Sequence, residues 1–177
     1  MTYASIKKYD IADGPGVRVS LFVSGCTHHC KGCFNPETWD FCYGSPYTEE
    51  TQKEILEAMA PEYIRGFTCL GGEPMEPANR GTVLGLLREI RERFPEKSLW
   101  IYTGYLFDKD LQEWAKTDGD VAQILELVDV MVDGEFVLEK KNIRLPFRGS
   151  ENQRVIDVPA SLESGCVVLY ELPDKQA

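Results

Sequence analysis

Three cysteines lie close together on one short segment, Cys26, Cys30 and Cys33, in a C-x3-C-x2-C spacing. Three thiolates on one loop can hold three corners of a cubane iron–sulfur cluster. Because such clusters normally take four cysteines, the fourth iron would be left without a protein ligand and open to a substrate. The apolar run Val17–Val23 precedes the segment and has the composition of a β-strand. The sequence therefore predicts a thiolate loop at the end of a strand.

A structural zinc site is the first alternative for this loop. His28 and His29 are the only histidines of the chain, and both lie inside the segment. Zinc sites usually combine two separated ligand pairs with a shorter C-x2-C spacing, and the sequence offers no second pair. Cys42 is the only nearby fourth thiol. A disulfide framework is less expected still, because the chain has the features of a cytoplasmic protein, in which thiols stay reduced.

Length and charge limit the partners that the chain can have. Its 177 residues suit a single domain, 1–177. The formal net charge of −10 argues against binding to nucleic acid, which requires a basic surface. No apolar run approaches the roughly 20 residues that a membrane helix needs, and the first ten residues contain no hydrophobic signal core. We therefore expect a cytoplasmic protein that binds neither nucleic acid nor membrane.

Strand-like and helix-like segments alternate along the chain. After Val17–Val23, the predicted elements are a helix from the Thr48 cap to Met59, a strand at Phe67–Leu70, a helix at Asn79–Arg93, a strand at Ser98–Tyr102, short helices at Leu111–Trp114 and Val121–Leu127, and strands at Val128–Val132, Arg154–Val158 and Val167–Tyr170. This alternation predicts the α/β class with a mainly parallel sheet. A full eight-unit barrel takes about 250 residues, so an incomplete, open β/α barrel fits this length better.

Polar motifs follow several of the predicted strands. They are Gly71-Gly72-Glu73, Thr103-Gly104-Tyr105 and Asp133-Gly134-Glu135, in addition to the cysteine loop. Sites in parallel α/β folds lie at the carboxyl ends of the strands. The motifs are therefore expected to meet at one edge of the sheet. Taken alone, Gly71-Gly72-Glu73-Pro74 would indicate only a turn.

Together, the cysteine spacing and the Gly71-Gly72-Glu73-Pro74 segment resemble the radical S-adenosylmethionine (SAM) superfamily. Asp13–Arg18 and Asn35–Asp40 are similar to segments of the activases of glycyl-radical enzymes. Phe147–Arg154 and Asp133–Phe136 resemble the activating enzymes of anaerobic (class III) ribonucleotide reductases. The resemblance extends from about Tyr9 to Asp157.

This resemblance implies an open barrel of the radical SAM type, a [4Fe–4S] cluster and SAM. It assigns the cluster to Cys26, Cys30 and Cys33, and SAM binding to Gly71, Gly72, Glu73, Phe34, Thr103, Asp133 and Asn152. Glu73 would accept the amino group of SAM, and no catalytic residue beyond the cluster and SAM is implied. Many members of the superfamily have an aromatic residue immediately before the third cysteine. This chain has Gly32 there, and Phe34 follows the cysteine instead.

The resemblance also implies a reaction and its partners. A low-potential donor such as flavodoxin or ferredoxin would reduce the cluster, and SAM would be cleaved to methionine and a 5′-deoxyadenosyl radical. The radical would remove a hydrogen atom from a glycine on a loop of the reductase's catalytic subunit. Two alternatives remain open at this stage. The target could be another glycyl-radical enzyme, of the formate-lyase type, or a small molecule, and the chain could instead be a non-enzymatic zinc- or cluster-binding module.

Overall fold

One seven-stranded sheet organises the chain. A computed structural model describes residues 1–172. The strands are β1 (Thr2–Asp10), β2 (Val17–Val23), β3 (Ser45–Pro46), β4 (Ile64–Gly71), β5 (Ser98–Tyr102), β6 (Val130–Asp133) and β7 (Arg154–Asp157). Their spatial order is β3-β1-β2-β4-β5-β6-β7, and β2, β4, β5 and β6 run parallel to one another. The α/β class and the parallel centre of the sheet are thereby confirmed.

Helices connect the parallel strands. They are α1 (Glu49–Met59), α2 (Pro77–Arg93), α3 (Gln112–Trp114), α4 (Gly119–Leu127) and α5 (Val158–Ser164). Thr48 caps α1 as the sequence predicts, because its hydroxyl accepts a hydrogen bond from the Thr51 N–H while the Thr51 hydroxyl accepts one from the Thr48 N–H. Within residues 1–172, no helix combines the length and the apolar character needed to cross a membrane.

The register of the parallel strands brings their carboxyl ends to one edge of the sheet. Val23, the last residue of β2, pairs with Gly71, the last residue of β4. Farther along the sheet, Tyr102 at the end of β5 pairs with Val132 near the end of β6. The loops that follow these strands therefore leave the sheet side by side, and they include the cysteine loop and the segment that begins at Gly71.

The interior of the molecule is the layer between the sheet and the helices. Phe67, Leu87 and Ile101 are fully buried there, together with most apolar side chains of α1, α2 and α4. Arg18 is also fully buried, and its guanidinium donates to the Phe67 and Ser98 carbonyl oxygens and to hydroxyl oxygens. This core fixes β2 and β4 against each other and so fixes the two loops that leave them.

The edges of the sheet differ from the sequence prediction. β1 and β3 were not predicted, and both pair antiparallel, as β7 does with β6. The residues of β1 are mostly polar, so its strand depends on the ladder with β2 rather than on burial of its own side chains. Val167–Tyr170 was predicted to be a strand, but within the described residues it makes only an isolated bridge from Leu169 to Ile156.

A helix was also missed between the last two predicted strands. α5 begins after Asp157, whose carboxylate accepts from the Ala160 N–H at 3.0 Å, and it ends at Gly165 with a left-handed φ of 72°. An acidic cap and a glycine stop are the ordinary signals of a helix, so the sequence contained the information.

Candidate active site

A cavity of about 450 Å³ opens at the carboxyl edge of the sheet. The cysteine loop forms one of its sides, and the loops that follow β4, β5 and β6 form others. Of the predicted site residues, those that line the cavity are Cys26, Cys30, Cys33, Phe34, Gly71, Gly72, Glu73 and Thr103. The structure therefore brings together the two motifs on which the sequence interpretation depends.

Backbone hydrogen bonds hold the start of the cysteine loop. The Gly25 N–H donates to the Thr38 carbonyl oxygen at 2.8 Å, and the Cys26 N–H donates to that of Trp39 at 3.2 Å. Gly25 has φ of 97°, a left-handed conformation that favours glycine. A Cβ at this position would also lie only 2.3 Å from the Phe41 ring. This glycine sets the direction in which the loop leaves β2.

The segment after β4 is joined directly to the cysteine loop. The Gly72 N–H donates to the Val23 carbonyl oxygen at 2.7 Å, and the Glu73 N–H donates to that of Gly25 at 2.9 Å. Gly72 packs so closely that a Cβ would lie 2.7 Å from the Gly25 carbonyl oxygen and 2.9 Å from that of Thr38. The two motifs thus form one backbone unit, and the glycine at position 72 is required by the close approach.

Two residues at the start of helix α2 also hold this backbone unit in place. The buried Glu76 carboxylate accepts from the Thr27 N–H at 2.9 Å and from the Thr27 hydroxyl at 2.5 Å. Buried Asn79 donates to the carbonyl oxygens of Ser24 and Glu73, at 3.0 and 2.9 Å. Buried polar side chains with satisfied hydrogen bonds hold their surroundings in one arrangement. The position of the cysteines therefore depends on α2 as well as on β2.

Glu73 is buried and accepts hydrogen bonds with both carboxylate oxygens. Oε1 accepts from the Met75 N–H at 2.9 Å, and Oε2 accepts from the Gly104 N–H at 2.7 Å. His28 Nε2 lies 3.1 Å from the same Oε2, and His28 Nδ1 lies 2.9 Å from Glu135 Oε1. A buried carboxylate so oriented is suited to bind a cation at the edge of the cavity.

His28 already places a cationic group beside Glu73. The hydrogen bond to Glu73, with the nearby Glu135, raises the pKa of His28 to about 9, although burial opposes the shift. The imidazolium therefore donates to both carboxylates at neutral pH. The sequence interpretation considered His28 only as a zinc ligand. Its contact with Glu73 joins residues that are far apart in the chain, and no local sequence pattern announces it.

Three thiols line the cavity, and three thiolates can bind three irons of a cubane cluster. Cys26 is buried, and Cys30 and Cys33 are partly exposed. Burial raises the pKa of the Cys26 thiol to about 12 and also raises the pKa of Cys30, so iron must displace protons to bind. In residues 1–172, no three His, Cys, Asp or Glu side chains converge as ligands of a single ion. Thiolates of a cubane bind separate irons and do not need to converge in that way.

The remaining cysteines lie away from this cavity. Cys69 is buried in β4, and Cys42 and Cys166 are exposed; none of the three is among the residues that line the cavity. Of the described residues, the cavity therefore offers three thiols and no fourth. This donor set matches a four-iron cluster with one iron free of a protein ligand.

Asp133 and Asn152, two of the predicted SAM contacts, lie beside the cavity rather than among its lining residues. Buried Asp133 accepts from Arg154 Nε at 2.9 Å and from the Phe107 N–H at 2.8 Å. Asn152 donates to the Glu135 carbonyl oxygen at 2.8 Å, and its own side-chain oxygen is buried without a partner. Asp133 thus connects the end of β6 to β7 and to the segment after β5, and Asn152 holds the loop that contains Glu135.

Further residues line the cavity besides those assigned to the site from the sequence. They include Lys7, Ala12, Asp13, Phe22, Leu70, Tyr102, Leu145, Phe147, Arg148 and Gln153. Burial and the neighbouring Asp10 raise the pKa of Asp13 to about 7, while the Tyr102 hydroxyl and Arg148 Nε are buried without a partner. Asp13 lies in Asp13–Arg18, and Phe147, Arg148 and Gln153 lie in Phe147–Arg154; both segments resemble activases, and this resemblance was the available signal. No such segment marked the others.

Comparisons with known proteins agree on one family. A model of a 4Fe-4S single cluster domain matches residues 12–156. A relative from Pasteurella multocida, named anaerobic ribonucleoside-triphosphate reductase-activating protein, is 39% identical over 155 residues, which are 86% of this chain and 95% of the relative. Proteins of the same name from Enterobacteria phage T4 and Escherichia coli K12 are 39% and 38% identical; the matches span 88% of this chain and 93% and 97% of those proteins.

The matched region contains the whole backbone unit that joins the three cysteines to Glu73. The identities extend over nearly the full length of the relatives, so they concern the entire fold and not the cysteine loop alone. The chain therefore contains a 4Fe-4S single cluster domain and belongs to the family of anaerobic ribonucleoside-triphosphate reductase-activating proteins.

Proposed function

We propose that this protein activates an anaerobic ribonucleotide reductase by SAM-dependent formation of a glycyl radical on the reductase's catalytic subunit. The observation that carries the proposal is the backbone unit in which the cysteine loop and the buried Glu73 face one cavity. The names of the relatives supply the target, and the 4Fe-4S domain supplies the redox centre.

In this proposal, the cluster is held by Cys26, Cys30 and Cys33. When bound, it supplies the electron that cleaves SAM to methionine and a 5′-deoxyadenosyl radical. The chain's own task is to bind and orient the reactants and to keep water from them. Glu73 offers a carboxylate for the ammonium of SAM, with its direction set by the N–H groups of Met75 and Gly104.

The glycines at the cavity are assigned to close approach of SAM to the backbone. Gly71 has φ of 106° and, with Gly72, leaves the start of the segment free of side chains. Phe34 and Thr103 line the cavity and are proposed as further SAM contacts. Asp133 and Asn152 do not line the cavity, and we propose that they contribute to SAM binding by holding neighbouring loops in place. We also propose that the sheet and its helices form an open β/α barrel, as the resemblance to the radical SAM superfamily implies.

The same cavity is also lined by Asp13 and Arg148. We assign this part of the lining to the glycine loop of the reductase. A soluble low-potential protein, flavodoxin or ferredoxin, is proposed as the source of the electron, and the cytoplasm as the place of the reaction.

Anaerobic reconstitution with iron and sulfide, followed by dithionite and SAM, tests the proposal. We expect a four-iron cluster and release of 5′-deoxyadenosine. Cys30→Ala should lose both, whereas the matched variant Cys42→Ala should retain both, because Cys42 is exposed and does not line the cavity. Loss of the cluster in both variants would replace the three-cysteine site by a four-cysteine one and contradict the proposal.

A further inference from the structure

Four exposed cations lie on the cysteine loop and on the segment that packs against it. They are Lys31, Lys140, Lys141 and Arg144, here called the basic rim. The chain as a whole has 29 acidic and 19 basic residues, yet the stretch from Leu138 to Arg148 contains four basic residues and one acidic residue, Glu139. The basic rim is thus a local reversal of the sign of the protein's charge.

Packing places part of the basic rim against the cysteine loop. Lys31 follows Cys30 in the chain, and a Cβ at Gly32 would lie 2.9 Å from Leu138, which begins the turn that carries Lys140. Lys141 Nζ lies 5.2 Å from the centre of the Phe34 ring. The rim is therefore attached to the same loop that carries the cluster ligands.

In the part of the chain that the structure describes, some exposed cations pair with glutamates, whereas those of the basic rim do not. Lys8, Lys53, Arg93 and Lys116 each pair with a glutamate on the surface. Among residues 1–172, no carboxylate lies within 4.0 Å of a charged nitrogen of the basic rim. Two carboxylates on adjoining segments have other partners, since Glu135 is engaged by His28 and Glu151 accepts from the Asn142 side chain. The field of the rim is consequently not cancelled by internal pairs.

Apolar side chains stand exposed between these charges. Ile143 is 87% exposed, Phe34 is 59% exposed and Leu138 is 37% exposed. An apolar centre within a charged rim is the usual composition of a protein interface. Charge complementarity favours an acidic partner, and contact with the cysteine loop would bring that partner close to the cluster.

We propose that the basic rim is the docking surface of the protein that reduces the cluster, a small acidic one-electron carrier of low potential. This assignment rests on the proposed function. One electron passes from the reduced carrier to the cluster. No bond is formed or broken, and no proton is transferred. The encounter is brief and guided by charge, so it needs little buried area, and its rate depends on ionic strength. The glycine loop of the reductase is assigned to the cavity and not to the rim.

The test compares two triple variants with the same change in charge. Lys140→Gln/Lys141→Gln/Arg144→Gln removes three of the four charges of the rim, and Lys53→Gln/Lys109→Gln/Lys116→Gln removes three exposed charges elsewhere. Both are reconstituted anaerobically and mixed in a stopped-flow apparatus with reduced flavodoxin at several salt concentrations. Dithionite, which needs no protein interface, is the control reductant.

At low salt, we expect flavodoxin to reduce the cluster of the rim variant at least about tenfold more slowly than that of the parent. The rate of this reduction should also lose most of its dependence on salt concentration. The control variant should stay within about twofold of the parent, and all three proteins should cleave SAM equally with dithionite. Equal rates of reduction by flavodoxin would overturn the assignment. So would a rim variant that is reduced normally but forms less radical on the reductase with dithionite. Failure of the parent to cleave SAM with dithionite would overturn the proposed function itself.

Discussion

Arg154 links the loop after β6 to the surface through two acidic residues of very different burial. Its Nε donates to Oδ1 of buried Asp133 at 2.9 Å, and one terminal nitrogen donates to Oδ2 of Asp133 at 2.5 Å. The same guanidinium binds Asp108 at the surface at 2.7 Å. These two carboxylates raise the pKa of Arg154, with Asp133 the larger cause. Because Asp133 precedes Gly134 in the cavity wall, the pair positions part of the site.

Replacing Arg154 by methionine keeps an apolar stem and removes the charge. Breaking a buried ion pair in this way costs about 3–5 kcal/mol, because the remaining charge is left without compensation. The Phe107 N–H still binds Asp133 at 2.8 Å, so we expect a loss near the lower end, about 3 kcal/mol in the free energy of unfolding. A surface pair is worth only about 0–1 kcal/mol, so Asp108→Asn should lower the free energy by no more than that.

Urea unfolding under anaerobic reducing conditions measures both variants, with the fluorescence of buried Trp100 as one probe. Adding Asp133→Asn to Arg154→Met removes the uncompensated charge and should recover part of the loss. Equal destabilisation by Arg154→Met and Asp108→Asn would refute the reasoning. A double variant less stable than Arg154→Met alone would refute it as well.

Three further predictions concern the cavity. Gly72→Ala should prevent cluster assembly, because a Cβ would collide with two carbonyl oxygens, whereas Gly85→Ala, which meets no atom within 4 Å, should assemble normally; iron and sulfide analysis decides. Glu73→Gln should weaken SAM binding by about 1.5–3 kcal/mol without loss of the cluster, and equal affinities in a binding titration would remove Glu73 from the SAM site. The pKa of Asp13, raised to about 7, lies above its unfolded value, so its contribution to stability is present below about pH 4 and is lost as the pH rises to about 7. Asp13→Asn should therefore stabilise the protein at pH 8 and flatten this part of the profile in urea unfolding; an unchanged profile would contradict this.

The sequence predicted the parts of the fold that depend on local patterns. The Thr48 cap and the helical spacing of Ile55 and Met59 gave α1, and the apolar run Val17–Val23 gave β2. The meeting of the cysteine loop with Glu73 followed from one topological rule, that neighbouring parallel strands end at the same edge. The cap, the helix and the strand are encoded within a few residues of where they appear, whereas the meeting of the two loops follows from the order of the strands.

The remaining features depend on contacts between distant residues. β1 has few apolar side chains and is a strand because β2 is available to pair with it. The contact between His28 and Glu73 joins positions that are 45 residues apart in the chain. The family resemblance assigned Asp133 to SAM binding, but nothing near it in sequence indicated that Arg154 would bind its carboxylate. The basic rim required the structure, since Lys31 is distant in sequence from Lys140.

Electron paramagnetic resonance of the reductase tests the central claim most directly. The reconstituted protein is mixed anaerobically with SAM, a reductant and the anaerobic ribonucleotide reductase of the same cell. We predict a doublet from a glycyl radical on the reductase, which collapses when the reductase is labelled with α-deuterated glycine. No radical on that reductase, with a clear signal on a formate-lyase-type enzyme under the same conditions, would contradict the account.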